Sequence, residues 1–302
     1  MEKGQHEVAP ISVICCYRNS TRWNQFTSEA ASLSFSEIEF VGFDNTSNRY
    51  TLPEAYNEGR QNARGEILLF VHDDVQFKTS GWDVILYESY YALPNCGVVG
   101  FAGGTNAYNG PMTWWTKVGE NRIFRNMLQR LADGSDARYA DSDEAVEVLG
   151  LDGFAFAIRR ELIQDFEWSN EVGLWHGYDL DLCYHVHFVQ GKTNYVLPVP
   201  VIHHLSLGTL NVEWGISMIN IWIKYREWLQ VNSMEGIGRD ALIIFINWTH
   251  DLAIKRELIG ALRTNNFSVL KRVVVAMCFS NIKWRKRIGF MLLSRTIGSH
   301  EI

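Results

Sequence analysis

AYNEGRQNARGEILLFVHDDV, residues 55–75, decides how the rest of the chain reads. Its first part carries helix-forming residues and closes at Gly65. Its second part is an apolar run of strand length, ILLFV, that starts just past that glycine. His72, Asp73 and Asp74 then crowd the C-terminal end of the strand. Adjacent carboxylates repel each other, and burying either without a partner is costly. What compensates them, a cation or water, is the question this stretch poses.

Working outward, ISVICCY (11–17) reads as a buried strand and TRWNQFTSEAASL as a helix. IEFVGFD (38–44) is a strand that stops at Asp44, and LPEAYNEGRQNARG (52–65) is a helix. After EILLFVHDD (66–74) come a helix, SGWDVILYESYYAL (80–93), with a serine N-cap, and a fourth strand, CGVVGFAG (96–103). This alternation predicts a mostly parallel sheet flanked by helices. In open sheets of that kind, ligands bind beyond the C-terminal strand ends. Tyr17, Asp44 and Asp74 all fall there.

Residues 104–145 show little periodicity and read as a long functional loop. VEVLGLDGFAFAIRR (146–160) reads as strand, turn and strand, residues 175–192 as a helix closed by Gly191, and 194–209 as an extended segment ending near His203 and His204. From residue 211 the pattern is helical, which divides the chain into residues 1–210 and 211–302. Charge divides it at the same place. Residues 211–302 carry 13 Lys and Arg against 7 Asp and Glu, while the first 210 carry 15 against 27. An acidic body with a basic tail implies modules with different neighbours.

The net charge of −6 argues against a nucleic-acid partner. Five cysteines, with no CxxC pair among them, argue against a disulfide framework or a cysteine-based zinc site. MEKGQHEVAP lacks an apolar signal core, and VVVAMCF (273–279) is too short to span a bilayer, so the expected location is cytoplasmic.

Several pieces together resemble the inverting, family-2-like enzymes among the GT-A glycosyltransferases. They are a first strand ending in a polar turn (CCYRN), a second ending in an aspartate (GFDN), the segment AYNEGRQNARGEILLFVHDDV, and a late acidic helix start followed by a histidine. The third is the most specific, with Ala-x-x-x-Gly, Ala-x-Gly-Glu, an apolar strand and an acidic motif in order. The resemblance covers residues 8–210 and leaves the tail outside.

The resemblance implies transfer of a sugar from a nucleotide sugar, a UDP-sugar foremost, to a hydroxyl of a saccharide or lipid-linked glycan, as in surface polysaccharide synthesis. Such a reaction has an oxocarbenium-like transition state and a diphosphate leaving group, whose growing charge Mn²⁺ or Mg²⁺ neutralises. Asp74 becomes a metal ligand, with Asp73 beside it near ribose or sugar. His72 takes the first acidic position of the motif, as in HxD variants, and falls near the ribose. Asp44 implies a contact with the nucleobase, bordered by Tyr17 and Asn19; its alternative is an Asx-turn. His204, in the spacing His-x-Ser-x-Gly with Ser206 and Gly208, completes the metal shell or contacts the diphosphate, while His203 points to the opposite face.

In HGYDLDLC, Asp179 takes the place of the general base, with Asp181 as a second choice; both could instead be first-turn residues favoured by the helix dipole. Trp175 and Tyr178 are acceptor-stacking candidates, together with Trp114 or Trp115. Asp152 and Gly153 resemble a loop that touches donor or acceptor, or else form a tight turn. Arg159 and Arg160 reach a phosphate or close a solvated strand end. His185 and His187 read as structural. In the tail, Trp214, Met218, Ile221, Tyr225 and Trp228 form a face for packing or homodimerisation, and IKWRKRIGFMLL suits an anionic membrane surface. Competing functions are a non-catalytic carbohydrate binder on the same scaffold and a sugar nucleotidyltransferase. The second would require a Gly-rich loop after the first strand, where CCYRNSTRW has no glycine.

Overall fold

The structure is a computed structural model and describes residues 10–107, 110–117, 119–208 and 211–231. Strand β1 (Ile11–Tyr17) leads into α1 (Ser20–Leu33), which Asn19 caps by accepting the Arg22 N–H at 3.0 Å. Trp23, Phe26 and Ala30, spaced three and four apart, bury one face of that helix. After β2 (Ile38–Asp44), α2 (Leu52–Asn62) opens on a capping box in which Thr51 and Glu54 satisfy each other's backbone N–H. The buried β3 (Ile67–Val71) is followed by β4 (Val75–Phe77) and α3 (Trp82–Ala92).

The cap of α3 differs from expectation. Gly81, not Ser80, precedes the helix, because the chain there adopts φ = 70°, which glycine reaches without a steric penalty. Next come β5 (Cys96–Gly100), β6 (Ala102–Gly104), β7 (Ile123–Arg130), β8 (Asp136–Ala140), β9 (Val146–Val148), β10 (Gly150–Leu151) and β11 (Ala155–Arg159). A helix α4 (Tyr178–Tyr184) continues as a π-helical turn over His185–Val189, then β12 (Thr193–Val196), β13 (Ile202–His204) and α5 (Val212–Val231) complete the described chain.

Two sheets result. The larger has seven strands in the order β2-β1-β3-β11-β5-β12-β9. Its strands β1, β2, β3, β5 and β12 run one way, and β11 and β9 run against them. It is therefore mixed and mostly parallel, as the alternating pattern predicts. The sequence did not disclose that β11 would insert between β3 and β5. The smaller sheet runs β10-β6-β7-β13-β4, with β8 on β7. Its two longest members overturn the reading of residues 104–145 as a loop. β7, IFRNMLQR, buries only Asn126 and Met127, so its alternation is carried by long polar side chains and leaves no apolar signature.

The described residues fall in two compact units, one holding those up to 106 and 113–209, the other 107–112 and those from 210. Every site residue named above lies in the first. In α5, Trp214, Met218, Ile221 and Tyr225 are buried, while Trp228 is 40% exposed and so does not belong to one covered face with them. The basic segment IKWRKRIGFMLL lies outside the described residues. Among the described residues no helix is long and apolar enough to cross a membrane, and Cys15, Cys16, Cys96 and Cys183 are free thiols.

Candidate active site

The end of β3 is where the two sheets meet. Val71 is the last residue of the large sheet and Val75 the first of β4 in the small one, so His72, Asp73 and Asp74 form the hinge between them. The His72 N–H donates to the Phe154 carbonyl at 2.9 Å, and the Leu205 N–H donates to the Asp74 carbonyl at 2.8 Å. β13 pairs antiparallel with β4, placing His204 opposite Val75. Strand pairing thus brings His204 to Asp74 across a long separation in sequence.

Asp74 Oδ1 lies 3.6 Å from His204 Nε2 and 3.9 Å from His72 Nδ1. One ligand atom from each of the three residues fits within 4.8 Å of the others. Gln129 decides which histidine nitrogen carries the proton. Its Nε2 donates to the Ser206 carbonyl at 2.7 Å, so its Oε1 is an acceptor, 3.0 Å from His204 Nδ1. His204 Nδ1 therefore carries the hydrogen, and its Nε2 turns a lone pair toward Asp74 Oδ1.

That oxygen is buried and accepts no hydrogen bond from protein. Two lone pairs facing each other in a buried site call for a cation between them. Two imidazoles and a carboxylate suit Mn²⁺, and their number leaves coordination positions for oxygens of a ligand. The residues fit a divalent ion.

Charge agrees with geometry. Burial pushes the Asp74 carboxyl up, but His72, His204 and the Ser206 side chain outweigh it and hold it below the ordinary carboxylate range. Burial also pushes both imidazoles below their usual value, against the pull of Asp74. At neutral pH the histidines are thus uncharged, as ligands must be, and Asp74 keeps a net negative charge. The His204 ring is further held by stacking on Phe154, at 4.9 Å and 15°. His203 faces the other way, toward Asp136 at 3.0 Å.

Beside this cluster lies a second one. The Asp152 carboxyl is raised, chiefly by burial, although the Phe154 N–H (3.1 Å) and the Trp114 side chain hydrogen-bond to it. Asp179, in the first turn of α4, is pushed up to about 7, chiefly by burial and next by the charge of Asp152. The Leu180 N–H donates to it at 2.8 Å. Gly153 lets α4 come close, since a Cβ there would fall on the Tyr178 hydroxyl.

The remaining positions divide. Tyr17 and Asp44 are partners in the β1–β2 register, so both strand ends reach one rim. The Tyr17 ring stacks on Trp23 at 5.3 Å and 8°. Asp44 does form the Asx-turn, accepting from Thr46 N (3.0 Å) and Oγ1 (2.7 Å) on one oxygen, which holds its pKa low and leaves the other oxygen outward. Asn19 is occupied as the cap of α1. Asp73 accepts the Arg18 N–H at 2.8 Å and so ties the ends of β3 and β1 together.

Trp175 is half-buried, with the Arg18 guanidinium 4.3 Å above its ring. Tyr178 does not present a face for stacking. It is buried, and its hydroxyl lies 2.5 Å from His72 Nε2. Asp181 is wholly buried within α4. Gln129, Phe154 and Arg18 join the site without having been named for it. Ser206 stood in a quoted spacing.

A mixed α/β sheet flanked by helices, with its polar residues gathered at the strand ends, defines a GT-A type fold. Residues 12–209 match the model described as the glycosyltransferase-like family, well over half of the chain, and the chain belongs to that family. No curated protein matches it.

Among solved structures, residues 1–349 of S. aureus TarS in complex with UDP-GlcNAc align with TM-score 0.52 and 14% identity over 88% of this chain and 83% of that one. GalNAc-T7 with UDP, GalNAc and Mn²⁺ aligns at 0.48 and 12% identity, over 81% of this chain and 57% of that one, so this chain spans little more than half its length. The Pyrobaculum calidifontis mannosyltransferase PcManGT, with GDP-Man and Mn²⁺, aligns at 0.47 and 12%, over 95% and 84%. At such identities the likeness to TarS speaks for the fold.

Proposed function

We propose that this chain is a metal-dependent, inverting glycosyltransferase that moves a sugar from a UDP-sugar to a hydroxyl of a saccharide or lipid-linked glycan. The observation that carries this reading is the buried Asp74 Oδ1, unpaired and faced by the His204 Nε2 lone pair. His204 and Asp74, with His72, would hold Mn²⁺ or Mg²⁺, which supplies charge neutralisation to the departing diphosphate.

The chain's own residues do the rest. Tyr17 and the outward oxygen of Asp44 border the base and ribose, and Asp73 fixes the loop that carries Arg18. Asp179 takes the proton from the acceptor hydroxyl, and a carboxylate with a pKa of about 7 is matched to that task at neutral pH. Asp181, wholly buried, cannot reach an acceptor, so Asp179 alone is assigned as base. Trp175, half-buried beneath the Arg18 guanidinium, is assigned to the acceptor. The proposed setting is the cytoplasmic face of a membrane, with residues 211–302 supplying dimer or surface contacts.

Thermal shifts with UDP, GDP and dTDP, each with and without Mn²⁺, test the reading. Stabilisation by UDP that requires Mn²⁺, and is lost in Asp74→Ala, is the expected result. UDP binding indifferent to metal would overturn the assignment, and a response to free oligosaccharide alone would favour a carbohydrate binder.

A further inference from the structure

Tyr178 is the residue whose position the proposed chemistry does not yet use. It is the first residue of α4 and follows Gly177, which adopts φ = 82°. Its ring packs edge-on against Tyr56, at 5.5 Å and 85°, and its carbonyl accepts the Trp168 indole N–H at 2.8 Å. Only 6% of the residue is exposed. Burial holds the phenol well above its ordinary pKa, so it stays protonated. Gly153 leaves room for the hydroxyl where any side chain would displace it.

That hydroxyl meets His72 Nε2 at 2.5 Å, while His72 Nδ1 looks toward Asp74 Oδ1. The imidazole has two neutral forms. With hydrogen on Nδ1, it directs a proton into the space between Asp74 and His204, and a cation is excluded from that nitrogen. With hydrogen on Nε2, it needs an acceptor on that side, and the Tyr178 oxygen is placed to serve. A ligating histidine that donates its other N–H to a fixed acceptor is oriented and made more basic by it.

We propose that Tyr178 is a positioning residue for the cation: by accepting from His72 Nε2–H, it turns the Nδ1 lone pair toward Asp74 and His204. Since Asp179 is the next residue of the same helix, one rigid turn then carries both the base and the support of a metal ligand. The inference rests on reading His72, Asp74 and His204 as the cation site.

Calorimetric titration of Mn²⁺ into the wild-type chain and Tyr178→Phe tests it, alongside ¹⁵N NMR of the His72 tautomer without metal. His72→Gln identifies the resonance. Tyr178→Phe keeps the packing ring; it should weaken Mn²⁺ binding by about 10- to 100-fold and shift His72 away from the Nε2–H form. Gly153→Ala, which forces the hydroxyl aside, should do the same and serves if the first variant folds poorly. Equal Mn²⁺ affinity with an unchanged tautomer would overturn the inference, even if Tyr178→Phe melted lower. A wild-type chain that binds no Mn²⁺ would instead sink the metal reading. The NMR comparison then still decides the role of Tyr178, and the same tautomer in both proteins would refute it.

Discussion

Asp74 stands between two histidines and a serine, and its carboxyl is held low; Asp179 stands against another carboxylate, and its own is pushed up to about 7. Asp74 follows the C-terminal end of β3 and Asp179 opens α4, and burial raises both. What separates them is the neighbour: donors and imidazoles around one, Asp152 beside the other. Two identical groups with diverging pKa values are how one cleft assigns different tasks. In the proposed reading the first is kept ionised to hold a cation, and the second is poised to exchange a proton. Substitutions that exchange or erase these surroundings should therefore act on different observables.

The largest effect is expected at the base. Asp179→Asn keeps the shape of the side chain and can still accept the Leu180 N–H, but it takes no proton. Turnover should fall by a factor on the order of 10² to 10⁴, with Mn²⁺-dependent UDP affinity nearly unchanged. In the wild type, activity should decline as pH falls below about 7, where Asp179 becomes protonated. Undiminished turnover in the variant, measured by UDP release, would remove Asp179 from the reaction.

The same substitution tests the raised pKa itself. A carboxyl raised from about 4 in the unfolded chain to about 7 in the fold favours the protonated native state. Its contribution is fully present below the unfolded value and is lost as pH rises through about 7. Asn never ionises and escapes that loss. Asp179→Asn should thus match the wild type near pH 4 and exceed it above pH 7, by up to about 4 kcal/mol and less where water reaches the side chain. Melting curves of metal-free protein at the two pH values check this. A variant less stable at high pH would show that the Asp179 carboxyl is not raised in the fold.

Much of the rim formed by β1, β2 and β3 was legible in sequence, because it is built from strand ends in chain order. Glycine and apolar runs locate β1, β2 and β3, and the residue after each run falls on the ligand edge. His203 and His204 could be assigned to opposite faces from alternation alone. What could not be read are contacts made by partners far apart. The insertion of β11 between β3 and β5 puts Phe154 behind His72 and His204, and no local pattern announces it. Tyr178 illustrates the limit: its aromatic character suggested sugar stacking, whereas tertiary packing buried the ring and gave the hydroxyl to His72. Gln129 stayed hidden because β7 has too few apolar residues to be recognised as a strand.

Gln129 also supplies the finest test of the comparison, because it acts on the cation side without touching the cation. Its amide is oriented by the Ser206 carbonyl, and its oxygen fixes the hydrogen on His204 Nδ1. Gln129→Leu has similar bulk but no acceptor, so His204 can place its hydrogen on either nitrogen. Only the form with a free Nε2 serves Asp74, and that form loses both its acceptor and its orientation. Mn²⁺ affinity should drop by about tenfold, the low end for loss of a ligand's supporting hydrogen bond. The pH dependence that Asp179 gives to stability should stay where it was, since Gln129 lies on the far side of His204. If the two shifted together, the low carboxylate and the raised one would be parts of a single titrating system, and their assignment to separate tasks would fail.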